Sequence, residues 1–137
     1  MMISALLLLL SNPIEGLPTC DKVAAEQGIQ QEMNICAHRD FLIANAKMRE
    51  EYASALAIMR AKDGELLESS SELDGKPSFS NRLIESQRHW VMFREQHCRL
   101  EGYEARGGSL EPLLASTCMT ALTEARTQQL RALIETY

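Results

Sequence analysis

The sequence predicts an all-α fold, a small antiparallel three-helix bundle closed by two disulfides. Three observations carry this expectation. Apolar residues recur at helical spacing in three long stretches, no stretch alternates as a strand does, and the chain holds four cysteines. At 137 residues there is room for one domain. A chain of this size buries roughly two thirds of its unfolded surface, enough for a core with little margin.

The elements follow in chain order. Residues 3–10 form an apolar run interrupted only by Ser4, too short to span a bilayer and suited to the core of a signal peptide. No Lys or Arg precedes the run and no clean Ala-x-Ala site follows it. Cleavage is therefore expected between Ser11 and Pro18 with the bond left open, making 1–18 a signal peptide and 19–137 the helical domain. A competing reading is a lipoprotein anchor at Leu17-Pro18-Thr19-Cys20, which would strand one cysteine unpaired. Residues 20–28 are polar and suit at most a short helical turn.

The first long helix is expected over about 30–62. Met33, Ala37, Phe41, Ala44, Met48, Tyr52, Ala55 and Met59 share one face, while Arg39, Lys47, Arg49 and Glu50 fall mostly elsewhere. Asp63-Gly64 supplies the stop, since Gly can take the left-handed conformation there. Residues 65–77 read as a solvated connector with Ser69-Ser70-Ser71, Gly75 and Pro77, carrying the acids Glu65, Glu68, Glu72 and Asp74. Leu66, Leu67 and Leu73 offer a way to pin it to the core. Ser78 to Asn81 provide N-cap candidates for a second helix that runs to about 104. Leu83, Gln87, Trp90, Val91, Arg94 and Cys98 form its inner face, with the chain's one Trp among them. Gln87 and Arg94 interrupt that apolar stripe. An unpaired buried guanidinium costs several kcal/mol or so, so Arg94 either joins a specific polar network or snorkels to water from the edge of the face.

Gly107-Gly108-Ser109 marks a turn, and Pro112 suits the first turn of a third helix running to the C-terminus. That helix carries Leu114, Cys118, Leu122, Ala125 and Leu133 on one side, with Arg126 and Leu130 bordering it.

Four cysteines allow three pairings. Cys98 and Cys118 each lie ten residues from Gly108, so antiparallel helices meeting at that turn bring them together. On one continuous helix Cys20 and Cys36 would stand about 24 Å apart, against the ~4.4–6.8 Å that a disulfide spans. Their pairing requires the chain to fold back near Gly28, where glycine makes this cheap. Cys20–Cys36 with Cys98–Cys118 is the favoured set. It places the protein in an oxidising compartment, periplasmic or secreted.

The formal charge of −5 argues against nucleic acid or an anionic membrane surface and permits a basic protein partner. No Cys-x-x-Cys appears. His89 and His97 sit two turns apart, and His38 is remote. No metal, cofactor or catalytic residue is expected, and no transmembrane helix in the mature chain. Gly107-Gly108 lacks the glycine pattern of a phosphate-binding loop.

Three segments together resemble one family. Gln31-Glu-Met33-Asn34-Ile-Cys36-Ala37, followed by Phe41, Ala44 and Tyr52, is similar to the opening motif of the lysozyme inhibitor LprI-like N-terminal domain family, long described as a domain of unknown function. Gln87-Arg88-His89-Trp90-Val-Met-Phe93-Arg94-Glu95-Gln-His-Cys98 resembles its central motif. Gly107-Gly108-Ser109, then Cys118, Leu122-Thr123-Glu-Ala-Arg126 and Leu130 resemble the closing one. The resemblance marks Gln87, Trp90, Phe93, Arg94 and Arg126 as structural motif residues. It departs from the family in the first helix, where an Ala-Asp pair and then a Leu-Asn pair are usual. Here those positions read Ala44-Asn45 and Met48-Arg49. Asn45 can accept a hydrogen bond from Arg94 but brings no charge, which makes Asp40 a candidate for the missing acid.

The resemblance implies an exported, disulfide-containing helical domain that binds and inhibits lysozyme. Two segments are candidates for contacting a basic lysozyme. Gly107, Gly108 and Ser109 are small and polar, while Glu65, Glu68, Glu72 and Asp74 would face a cationic rim. The alternative is a structural or accessory cell-envelope domain whose partner is another protein.

Overall fold

A computed structural model describes residues 15–69 and 74–137. The expected signal-peptide core, together with Ser70, Ser71, Glu72 and Leu73 of the connector, lies outside the described residues. The fold is all-helical, with four α-helices where the sequence suggested three. α1 spans Lys22–Glu26, α2 Gln30–Ser69, α3 Phe79–Gly102 and α4 Glu111–Thr136, with a 3-10 turn at Tyr103–Ala105 after α3. Among the described residues there is no strand.

α1 is the short polar turn that precedes Gly28. The Asp21 carboxylate accepts from the Ala24 amide at its start. Gly28 then takes φ +86°, so the chain reverses there. That reversal brings Cys20 onto Cys36, their α-carbons 5.1 Å apart. The second disulfide joins Cys98 to Cys118 at 5.4 Å, and no cysteine is free. Both expected pairings are present.

α2 corrects the expected stop at Asp63-Gly64, since it continues to Ser69 and makes Glu65 and Glu68 helical residues instead of loop ones. The physical reason is where the Asp63 carboxylate goes. It accepts from the Phe79 amide at 2.7 Å, the Ser80 amide at 3.1 Å and the Ser80 hydroxyl at 2.6 Å. Asp63 thus caps the next helix across space, beside the local cap in which Ser78 Oγ accepts from the Asn81 amide. Gly64 stays helical at the conformational cost of any mid-helix glycine, roughly 1 kcal/mol relative to Ala.

Polar contacts between helices fix their order. Asn45, Met48 and Asp63 of α2 bond to Arg94, Gln87 and Ser80 of α3, so residue numbers rise along one helix as they fall along the other. The same reversal relates α3 to α4 through Gln87–Arg126, Arg94–Thr123 and Cys98–Cys118. α2 and α4 rise together, from Asn34–Ser109 to Glu51–Arg131. At the closed end α3 and α4 approach tightly. A Cβ placed on Gly102 would sit 3.2 Å from the Glu111 carbonyl oxygen and 3.3 Å from Ala115 Cβ.

The core joins Met48, Ala55 and Met59 of α2 to Leu83 of α3 and Leu130 of α4, with Tyr52, Phe79, Trp90 and Leu133 packed around them. α4 is rotated from the face its apolar residues suggested. Ala125 is exposed, whereas Leu130 is fully buried, and Thr123 and Thr127 are buried with it. Those threonines fit inside because their hydroxyls are bonded. Thr123 Oγ1 accepts from Arg94, and Thr127 Oγ1 donates to the Thr123 carbonyl at 2.9 Å.

Candidate functional site

Five motif residues were expected to act structurally, and four of them meet in one network. Arg94, only 5% exposed, donates through Nη1 to Asn45 Oδ1 at 2.8 Å and to Thr123 Oγ1 at 3.0 Å. Its Nη2 donates to Glu95 Oε1 at 2.9 Å. One guanidinium therefore ties together all three long helices, and of the two readings open for Arg94 the buried network is the one observed. Asp40 is not its acid; that residue lines the groove between α2 and α4 with Lys47 and Glu124. The neighbouring Glu95 is the carboxylate that bonds to Arg94.

Trp90 fills the space between two arginines. The Arg94 and Arg126 guanidinium carbons lie 5.0 and 5.9 Å from its ring centre, and Arg94 also lies 5.0 Å from the Phe41 ring. Arg126 donates from Nε to Gln87 Oε1 at 3.0 Å, from Nη1 to Gln129 Oε1 at 3.0 Å and from Nη2 to Ser86 Oγ at 3.1 Å. Burial pushes the Arg126 pKa below the usual arginine value. Gln87 closes the chain of bonds by donating from Nε2 to Met48 Sδ at 3.0 Å. Phe93 stands apart from this network. It is exposed and stacks on His97, ring centres 5.1 Å apart.

The two candidate contact segments lie at opposite ends of the molecule. Gly107, Gly108 and Ser109 form the turn beside both disulfides. Gly107 has φ +79°, and its amide donates to Glu111 Oε2 at 2.7 Å. The Gly108 amide donates to the Ala105 carbonyl at 2.8 Å, and Asn34 Nδ2 donates to the Ser109 carbonyl at 2.9 Å. Asn34, two residues before Cys36, thus ties this turn to the first disulfide, while the second bridges the helices that the turn connects. The loop is held from both sides.

Glu65, Glu68 and Asp74 sit at the far end, about 45 Å away along α2 at 1.5 Å per residue. Asp74 is held below the usual carboxylate range by the Lys76 amide and ammonium. Asp74 also lines an apolar cleft of about 710 Å³, together with Leu66, Leu67, Phe79, Leu133 and Tyr137. The interhelix pairings that create these neighbourhoods are non-local, so sequence spacing does not reveal Asn34, Asp63 or Thr123 as their organisers.

His97 Nε2 lies 3.0 Å from Glu101 Oε1, with Cys118 Sγ close by. That sulfur is committed to the disulfide and is not the thiolate a soft metal takes. No helix among the described residues is long and apolar enough to cross a membrane.

Fold and site together define a small all-helical domain, cross-linked twice at one end and organised around a buried arginine network. The chain belongs to the family described as lysozyme inhibitor LprI, which matches residues 20–130. It is also 37% identical over 125 residues to an uncharacterized protein of Rhizobium meliloti (strain 1021), covering 91% of this chain and 85% of the relative. No solved structure matches it. Family and disulfides are consistent with a place outside the cytoplasm.

Proposed function

We propose that this protein is an exported antiparallel three-helix bundle, released from a signal peptide at residues 1–18, that binds a basic lysozyme and blocks its substrate cleft. Membership in the family carries this reading. Two physical features support it. The net charge of −5 steers the chain toward a cationic partner. The turn at Gly107, Gly108 and Ser109 is small enough to enter a sugar-binding groove. Bonds from Asn34 and Glu111 hold it in shape before contact, so little ordering entropy is lost on binding. Glu65, Glu68 and Asp74 act only as a remote acidic patch under this reading, because a cleft that admits the turn lies too far away to touch them.

The test is a lysozyme activity assay with disulfide-intact protein at low and high salt, comparing the parent with Ser109→Trp. The parent should inhibit at micromolar concentration, more weakly at high salt, and Ser109→Trp should inhibit at least tenfold less while melting at the same temperature. Lysozyme left fully active would favour the second reading, an accessory cell-envelope domain with another protein partner. The far-end apolar cleft is the observation that favours this alternative.

A further inference from the structure

The outer face of α3 is unusual in what it leaves uncovered. Its inward residues Leu83, Gln87, Arg94 and Cys98 are buried against α2 and α4. Diametrically opposite stand Glu85, His89, Met92, Gln96, Arg99 and Tyr103, spaced alternately four and three apart, the spacing of a seam between two helices. Met92 and Tyr103 keep 62% and 47% of their surface exposed, and the flanking Phe93 and Leu100 keep 54% and 66%. Scattered exposed apolar residues are ordinary. Three on one face of α3, continued by Tyr103 at the start of the 3-10 turn, are rich in the aromatic and Met side chains that interfaces favour.

We propose that this face binds a second copy of the chain, α3 against α3, antiparallel about a two-fold axis at Gln96. The self-complementarity of the stripe identifies the occupant. Met92 and Leu100 lie equally far from Gln96, as do His89 and Tyr103. The two-fold therefore sets Met92 against Leu100 of the second copy, with Phe93 level with its Arg99, and His89 against its Tyr103. Beyond them Glu85, eleven residues before Gln96, comes near the level of Arg106 of the second copy, which follows the 3-10 turn ten residues after Gln96. Arg106 stacks over Tyr103 at 4.7 Å and has no carboxylate partner among the described residues. Glu85 is free to pair with it, because its own contacts to Arg88 at 3.5 Å and His89 at 3.7 Å are exposed and weak. Every contact is made twice, as in any isologous interface. A parallel arrangement would set Glu85 against Glu85 and Arg99 against Arg99, a repulsion that selects the antiparallel one. One helix pair buries an area at the small end of specific interfaces, so the association is a weak and concentration-dependent one.

Sedimentation equilibrium of the disulfide-intact chain, from low micromolar to several hundred micromolar, should show a mass rising from monomer toward twice that value. Leu100→Glu should weaken association at least tenfold without changing the melting temperature, since the side chain is exposed. Glu85→Arg and Arg106→Glu should each weaken it, and the two together should restore it. A monomer at every concentration would overturn the proposal. A dimer indifferent to Leu100→Glu and to the charge reversals would overturn it equally.

Discussion

Arg94 shows how one residue can organise a small domain. Its guanidinium bonds to Asn45, Thr123 and Glu95 on three helices and stacks on Phe41 and Trp90. Removing it leaves Asn45 and Thr123 without their donor and a hole between two rings. Arg94→Ala should therefore lower unfolding free energy by about 3 kcal/mol in a denaturant titration, and an unchanged midpoint would show that the network contributes nothing. Trp90→Ala should cost a similar amount, about 3–5 kcal/mol. Asn45 is the position where the family usually places an acid, and here it gives Arg94 an acceptor without charge. A charged acceptor makes a hydrogen bond roughly twice as strong. Asn45→Asp should therefore raise the melting temperature; a lower one would mean that desolvating the new carboxylate outweighs its pairing.

At the scale of the helix, Asp63 and the disulfides decide where elements begin and how they are joined. The Asp63 carboxylate is held below its ordinary value, chiefly by the Ser80 hydroxyl and then by the Ser80 and Phe79 amides. Its pKa is thus lower folded than unfolded. Its contribution is complete above the unfolded value near 3.8 and is lost as pH falls through the depressed folded value. Asp63→Asn should lower the melting temperature at pH 7, and the gap from the parent should close in strong acid. A gap that persists there would assign the effect to shape and not to ionisation. The Cys98–Cys118 bridge closes the α3–α4 turn, and replacing both cysteines by Ser should cost about 2–4 kcal/mol.

For the whole molecule, hydrophobic spacing made three long helices and both disulfides legible, because each is a matter of local period or of symmetry about one turn. Contacts between distant residues stayed hidden. Asp63 read as a stop because nothing local shows that Phe79 and Ser80 return to it. Leu130 and Ala125 exchanged places because α4 packs on two neighbours at once, and the buried threonines are invisible to hydropathy. Within the motif, spacing put Gln87, Trp90 and Arg94 on the inner face of α3, while Arg126 and Phe93 came from the family resemblance, which does not show the outward turn of Phe93. Glu65 and Glu68 read as loop residues and are helical, so of the two candidate contact segments only the glycine turn was legible as such. Their separation by the length of α2 was not, and it leaves the cross-linked turn as the element proposed to enter a cleft.

The most direct test of the account is a titration of lysozyme activity with oxidised protein and with the same protein after reduction of both disulfides. The expected result is inhibition at micromolar concentration by the oxidised form and its loss on reduction, as the turn loses the bonds that hold it. Lysozyme fully active with tens of micromolar oxidised protein would contradict it.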